Sequence, residues 1–268
     1  MSVSFLTAGG HRLEYKWIRP DTAVEGVPVL VFLHEGLGSV ALWKSFPDEV
    51  ARATGCPTLV YSRHGYGKSA RLTAPRTPDY MHCEAQVVLP EVLRQLDIVD
   101  PIIVGHSDGA SIALIHAAAG RQPVTGLILL APHVFVEELT VRSIAQAKTT
   151  FQTTDLAIRL GRYHDDAESA FRGWNDIWLH PDFRRWNIEA CLSAVRAPIL
   201  LIQGEDDQYG TLAQVQAIQR QAGGPVETVV LPRCAHSPQV DQPVATVEAI
   251  CGFVRGLMPQ PLVAIPPV

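Results

Sequence analysis

Short apolar runs alternate with longer amphipathic stretches along most of the chain. Residues 28–33 (PVLVFL) form a continuous apolar run, and the same signature recurs at 57–61, 101–104, 127–130, 198–202 and 226–231. Uninterrupted runs of this length suit strands covered on both faces, as in a parallel sheet between helices. Residues 11–18 (HRLEYKWI) alternate instead and read as an edge strand paired with 2–7. Helical periodicity fills the intervals 41–53, 80–97, 108–120, 211–222 and 243–257. Strands and helices in alternation at this spacing predict βαβ units.

One stretch breaks the alternation. Residues 134–193 lack a strand-like run and carry helical patterns rich in Arg, Asp and Trp. This stretch is too long and too apolar for a simple loop. It is expected to be a helical cap over a core formed by 1–133 and 194–268; ordinary surface helices are the plainer reading. Trp174, Trp178 and Trp186 recur there at near-helical spacing, a pattern that serves packing at least as often as ligand contact. The tail 259–268 is Pro-rich and suggests no role.

Composition narrows the picture. With 268 residues, 47% hydrophobic and 18% charged, the chain can bury one large α/β core. A net charge of -5 provides no basic face for nucleic acid. No apolar run approaches the roughly 20 residues that span a bilayer, and the N-terminus lacks the pattern of a signal peptide. Five widely spaced cysteines without a C-x-x-C pair read as reduced thiols of a cytoplasmic protein, with Cys234 alone placed where a reactive thiol is conceivable. The ten histidines do not pair at metal-ligand spacing, so neither a metal nor a cofactor is expected. Gly65–Ser69 ends like a phosphate-binding loop, but Ser62 stands where that motif needs glycine.

The chemistry is expected at the carboxyl ends of the strands, the rim where open α/β sheets bind ligands. Gly105-His106-Ser107-Asp108-Gly109 follows a strand run and precedes a helix. In that context G-x-S-x-G places a serine on a sharp turn with its hydroxyl clear of the sheet. Ser107 is the candidate nucleophile. Small residues at 105 and 109 allow strand and helix to approach. An oxyanion needs backbone N–H donors, one of them from Asp108, after the serine. The Gly-rich turn His34–Ser39 can supply the second, from Gly36 or from its neighbour Leu37. His34 itself reads as a structural hydrogen-bonding residue. Later in the chain, His236 is the candidate base, and Glu205, Asp206 and Asp207 compete to orient it. Leu37, His133, Trp174 and Trp178 are candidate substrate contacts.

Taken together, these segments resemble the α/β-hydrolase superfamily over nearly the whole chain, in the manner of capped serine hydrolases such as meta-cleavage-product hydrolases and carboxylesterases. The correspondence runs in order through His34–Ser39, Arg63–Ser69, Ser107, Gly204–Asp207 and His236–Pro238. It implies an eight-stranded, mostly parallel sheet with a cap between the sixth and seventh strands. It also selects Asp207, the last residue of its G-x-x-D turn, as the acid. Relatives that use an aspartate nucleophile, such as haloalkane dehalogenases and epoxide hydrolases, are set aside because position 107 is serine. Two departures stand out: the turn reads His-Glu-Gly where many members have His-Gly-x, and Asp108 replaces the usual Met or Gln. The implied activity is hydrolysis of a small or medium carboxylic ester. C–C, lactone or amide cleavage by the same triad and a non-catalytic receptor are the alternatives. The expected partner is a small-molecule substrate, with a homodimer as an admissible assembly.

Overall fold

The computed structural model describes residues 3–20 and 26–258. The first two residues and the Pro-rich tail at 259–268 lie outside these. Eight strands form one sheet: β1 (Ser4–Ala8), β2 (His11–Ile18), β3 (Leu30–Leu33), β4 (Thr58–Tyr61), β5 (Ile102–His106), β6 (Gly126–Leu130), β7 (Ile199–Gly204) and β8 (Val226–Leu231). Their spatial order is β1-β2-β4-β3-β5-β6-β7-β8. The β1–β2 and β2–β4 pairs are antiparallel, and every other pair is parallel.

The strand period of two divides the core into two layers. Leu30, Phe32, Val104 and Ile128 face one side of the sheet, where they meet Val50 of α1 (Phe46–Thr54) and Phe253 of the helix Pro243–Leu257. Val31, Leu33, Ile103 and Leu129 face the other side, under the remaining helices. Because both faces are covered, the central strands are buried at every position, which explains their uninterrupted apolar runs.

Residues 11–18 are not an edge strand. β2 is paired on both sides, with β1 at the edge. Its alternation arises because this end of the sheet is only partly covered, so several of its side chains stay half-buried. The helix expected over 41–53 begins later, at Phe46, with Pro47 in its first turn, where the missing proline N–H costs nothing.

Residues 80–95 run continuously through α2 (Tyr80–Cys83), a π-turn (Glu84–Val88) and α3 (Leu89–Gln95). α4 (Asp108–Ala119) follows β5 and is buried from Asp108 to His116. Between β6 and β7 lies a helical insertion with α5 (Glu138–Thr153), α6 (Leu156–Leu160), α7 (Ala167–Trp178), a 3-10 turn (Pro181–Arg185) and α8 (Glu189–Leu192). Its two ends meet in a bridge between Phe135 and Asn187, and the Ile188 N–H donates to the Val134 carbonyl at 2.8 Å. α9 (Leu212–Gln221), α10 (Pro238–Asp241) and α11 (Pro243–Leu257) complete the chain.

Candidate active site

β5 ends at His106, and the next residue turns sharply into α4. Ser107 adopts φ 52° and ψ -114°, a left-handed region that costs a non-glycine residue energy. The turn is held by the Ser107 N–H, which donates to the Leu130 carbonyl at 2.9 Å, and by the Ser107 carbonyl, which accepts from Ala110 at 2.9 Å. Gly109 makes the close packing possible, since a Cβ there would overlap the Leu33 carbonyl. Asp108 opens α4, so its N–H is among those the helix leaves without an intrahelical partner.

The loops after β7 and β8 bring Asp207 and His236 together. His236 Nδ1 lies 2.9 and 2.8 Å from the two Asp207 carboxylate oxygens. The carboxylate also accepts from the N–H groups of Tyr209 at 2.7 Å and Gly210 at 3.1 Å, and from Gln203 Nε2 at 2.7 Å. Burial opposes ionisation of Asp207, but the hydrogen bond and charge of His236 and then the Tyr209 N–H outweigh it, holding its pKa at about 2. Of the three acids in this turn, only Asp207 meets the histidine. Glu205 and Asp206 use their N–H groups to tie the turn to Leu231 and Cys234 and leave their side chains exposed. Glu137 caps the start of α9 through Thr211, and Glu138 pairs with Arg184 on the surface.

Ser107 and His236 open onto one cavity of ≈ 240 Å³. Gly36 and Leu37 of the turn after β3 line it, with Leu42 beside them. The helical insertion contributes Ile144, Leu160, Trp174 and Trp178. His133, Tyr209 and Glu35 complete much of the wall, and no Lys or Arg among the described residues lines it. All four residues expected to touch substrate (Leu37, His133, Trp174 and Trp178) therefore border the same space as Ser107. Trp186 is buried in the aromatic packing of the insertion instead, against Trp178 and Phe183. A larger groove of ≈ 510 Å³ between residues 72–76 and α7 contains none of these groups.

Several contacts carry no local sequence signal. His106, the variable residue of the elbow, brings Nε2 within 2.7 Å of the His236 carbonyl and Nδ1 within 3.6 Å of the Glu35 carboxylate. It thus links the elbow, the His236 loop and the turn after β3. The Asp108 carboxylate accepts from Tyr80 Oη at 2.7 Å and from Trp178 Nε1 at 3.2 Å, with the Arg63 guanidinium 3.7 Å away. Arg63 is fully buried and donates to the His34 and Glu35 carbonyls at 3.2 and 2.8 Å. His34 is structural: its Nδ1 meets the Glu35 carbonyl at 2.7 Å, and its Nε2 accepts from the Arg63 N–H at 3.0 Å.

Cys234 does not fulfil the expectation of a reactive thiol. It is buried, and burial followed by the nearby Asp241, Asp207 and Asp206 charges pushes its pKa up to about 11. The thiolate needed for reactivity is thereby suppressed. All five cysteines are free. Among the described residues, no cluster of three or more His, Cys, Asp and Glu is arranged to hold a metal ion. No helix among them is long and apolar enough to cross a membrane.

An eight-stranded, mostly parallel sheet with a strained serine turn after its fifth strand has the architecture of an α/β hydrolase. The sequence profile of the Alpha/beta hydrolase family matches residues 30–249, and the chain belongs to that family. It is 25% identical over 260 residues to a 2-succinyl-6-hydroxy-2,4-cyclohexadiene-1-carboxylate synthase of Enterobacter sp. (strain 638), covering 86% of this chain and 93% of that protein. An esterase of Mycobacterium tuberculosis is 26% identical over 254 residues, covering 85% and 83%. Among solved structures, the enol-lactonase of Burkholderia xenovorans LB400 superposes with a TM-score of 0.72 at 16% identity, covering 94% of this chain and 100% of that one. That similarity shows the fold alone.

Proposed function

We propose that the protein is a serine hydrolase that cleaves a small or medium, uncharged carboxylic ester through an acyl-enzyme. The observation that carries this reading is one cavity bordered by a serine on a strained elbow and by a histidine paired with a buried carboxylate.

In this mechanism the Ser107 hydroxyl attacks the ester carbonyl as His236 accepts its proton. Asp207 holds the imidazole by Nδ1, leaving Nε2 for proton transfer, and stabilises the imidazolium that forms. The N–H groups of Asp108 and Gly36 receive the developing oxyanion, with Leu37 N–H as the alternative to Gly36. His236 then protonates the leaving alkoxide and activates a water that releases the acid. The insertion acts as a cap, with Trp174 and Trp178 enclosing the apolar part of the substrate.

Size and charge of the cavity narrow the substrate. A space of ≈ 240 Å³ suits a short ester. The synthase relative is named for a carboxylate compound, but no cation lines this cavity to meet a carboxylate. The esterase among the relatives agrees with ester cleavage.

The test is labelling with a fluorophosphonate probe beside a panel of p-nitrophenyl esters of rising acyl length. Wild type should label and turn over the short esters, and Ser107→Ala should do neither. Equal labelling of the two proteins would sink the reading and favour a binding role for the same cavity.

A further inference from the structure

His133 lies two residues beyond Ala131, the left-handed residue that follows β6. Its backbone is fixed from two sides. The Ser111 hydroxyl of α4 donates to the His133 carbonyl at 2.6 Å, and Gln214 of α9 accepts from the Val134 N–H at 2.8 Å. The ring lies edge-on to Trp178, with centroids 5.4 Å apart, and 5.5 Å from the His236 ring. So anchored, the side chain is 1% exposed and lines the cavity with Ser107.

The two ring nitrogens differ. Nδ1 is buried without a hydrogen-bond partner among the described residues, on the edge packed against Gly210, where an added Cβ would stand 3.0 Å from Cε1 and 3.4 Å from Nδ1. Nε2 is not closed off in this way and binds no protein group. Burial, and then the neighbouring His236, hold the His133 pKa down to about 3 against the opposing pull of Asp207, so the ring carries a single proton at neutral pH. An enclosed N–H without an acceptor is rarer than an unused lone pair. The proton therefore sits on Nε2, the nitrogen that can meet a cavity occupant.

We propose that the His133 Nε2–H is a specificity-determining donor that selects esters carrying a second, uncharged oxygen acceptor, such as a ketone, in the acyl part. This rests on the serine-hydrolase reading for the identity of the scissile group, but the donor site itself does not. An anionic second group is disfavoured by Glu35, which lines the same cavity and whose pKa is lowered: burial opposes its ionisation, and its bonding to His106 overcomes that. Leu37, Leu42, Ile144 and Leu160 supply the apolar part of the remaining wall, while Thr140, Trp174, Tyr209 and Ser237 add further polar side chains, so the His133 variants are needed to assign the donor. A site with one buried donor rewards a matching acceptor and leaves that donor unpaired with a hydrocarbon analogue.

The experiment compares methyl pentanoate with methyl 2-, 3- and 4-oxopentanoate, which differ from it by one carbonyl oxygen. kcat/KM is read by pH-stat for wild type, His133→Phe and His133→Gln. In parallel, the dissociation constants of the four esters are read from cavity tryptophan fluorescence in Ser107→Ala, with and without His133→Phe. At least one oxo ester should be preferred over pentanoate by wild type. That preference should fall by about tenfold in His133→Phe and recover in part in His133→Gln, which restores an N–H. A wild type that hydrolyses none of the esters, while Ser107→Ala binds an oxo ester with His133-dependent preference, rejects the esterase reading and keeps this proposal. It is overturned if the proteins with His133 intact, wild type in turnover and Ser107→Ala in binding, show no preference, or if the preference is the same in the His133 variants as with His133 intact.

Discussion

Trp178 Nε1 of the insertion donates to the Asp108 carboxylate at 3.2 Å, tying α7 to the first residue after the Ser107 elbow. The same carboxylate takes Tyr80 Oη and faces the buried Arg63. Trp178→Phe removes the indole N–H together with the five-membered ring; the lost bond to a buried charged acceptor is expected to cost about 1.5–3 kcal/mol, and the lost packing adds to it. Asp108→Ala leaves Arg63 without its carboxylate and is expected to cost about 3–5 kcal/mol. Urea denaturation of the two variants checks both the order and the sizes.

The proposed triad should behave as a unit. Ser107→Ala and His236→Ala are each expected to remove nearly all esterase activity. Asp207→Asn should lower kcat on the order of 10⁴-fold while the fold is kept. Steady-state kinetics on a short p-nitrophenyl ester, with circular dichroism as a folding control, gives the answer. Full activity in Asp207→Asn would place the acid elsewhere.

Acid should weaken the fold in two overlapping steps. His133 has its pKa lowered from an ordinary 6.5 to about 3, so between these values the unfolded chain binds a proton that the folded one refuses. Stability is therefore lost as pH falls below 6.5, by about 1.4 kcal/mol per pH unit for one such proton. His34, also held well below its ordinary value by burial and then Arg63, adds to the same slope. Asp207 has its pKa lowered from 3.8 to about 2, and its contribution is lost only as pH falls through that lower range. His133→Phe should reduce the slope of unfolding free energy against pH between 4 and 6 by about 1.4 kcal/mol per unit. Its slope should converge on that of wild type only below about pH 2, where His133 is protonated in the folded chain as well.

Gly109 faces the Leu33 carbonyl so closely that a methyl group has nowhere to go. Because the obstacle is backbone, Gly109→Ala should displace the elbow, with a stability loss of about 3 kcal/mol or more and loss of fluorophosphonate labelling. Gly36→Ala meets the Trp174 indole, a side chain of the cavity wall and not backbone, so relief requires that ring to move. That variant should fold and show a shifted tryptophan emission.

Much of this architecture was legible beforehand because burial writes itself into local pattern. Strands covered on both faces read as apolar runs, and five of the parallel strands end in loops with recognisable chemistry. Local pattern is silent where a residue's surroundings come from distant parts of the chain. The alternation in β2 looks like a free edge because it records half-coverage and says nothing of strand pairing. Arg63 sits in a polar loop, and nothing nearby indicates that it is fully buried beside Asp108. The contacts of Asp108 with Tyr80 and Trp178 span 28 and 70 residues. They exist only because the topology lays α2 and α7 over the start of α4. His106 likewise reaches the His236 carbonyl 130 residues away, so its place between two loops is invisible in G-x-S-x-G.

The bridge between Phe135 and Asn187, with Ile188 bonded to Val134, joins the two ends of the insertion at a single narrow stalk. Everything from α5 to α7 leaves and re-enters the sheet through it. Ser107, Asp207 and His236 all lie outside that segment, on loops anchored by β5, β7 and β8. The stalk thus marks a natural splice point. A foreign helical segment grafted between Phe135 and Asn187 could change which molecules are admitted while keeping Ser107, Asp207 and His236, provided it restores the donor that Trp178 gives to Asp108 and the contact that His164 makes with the Leu37 carbonyl.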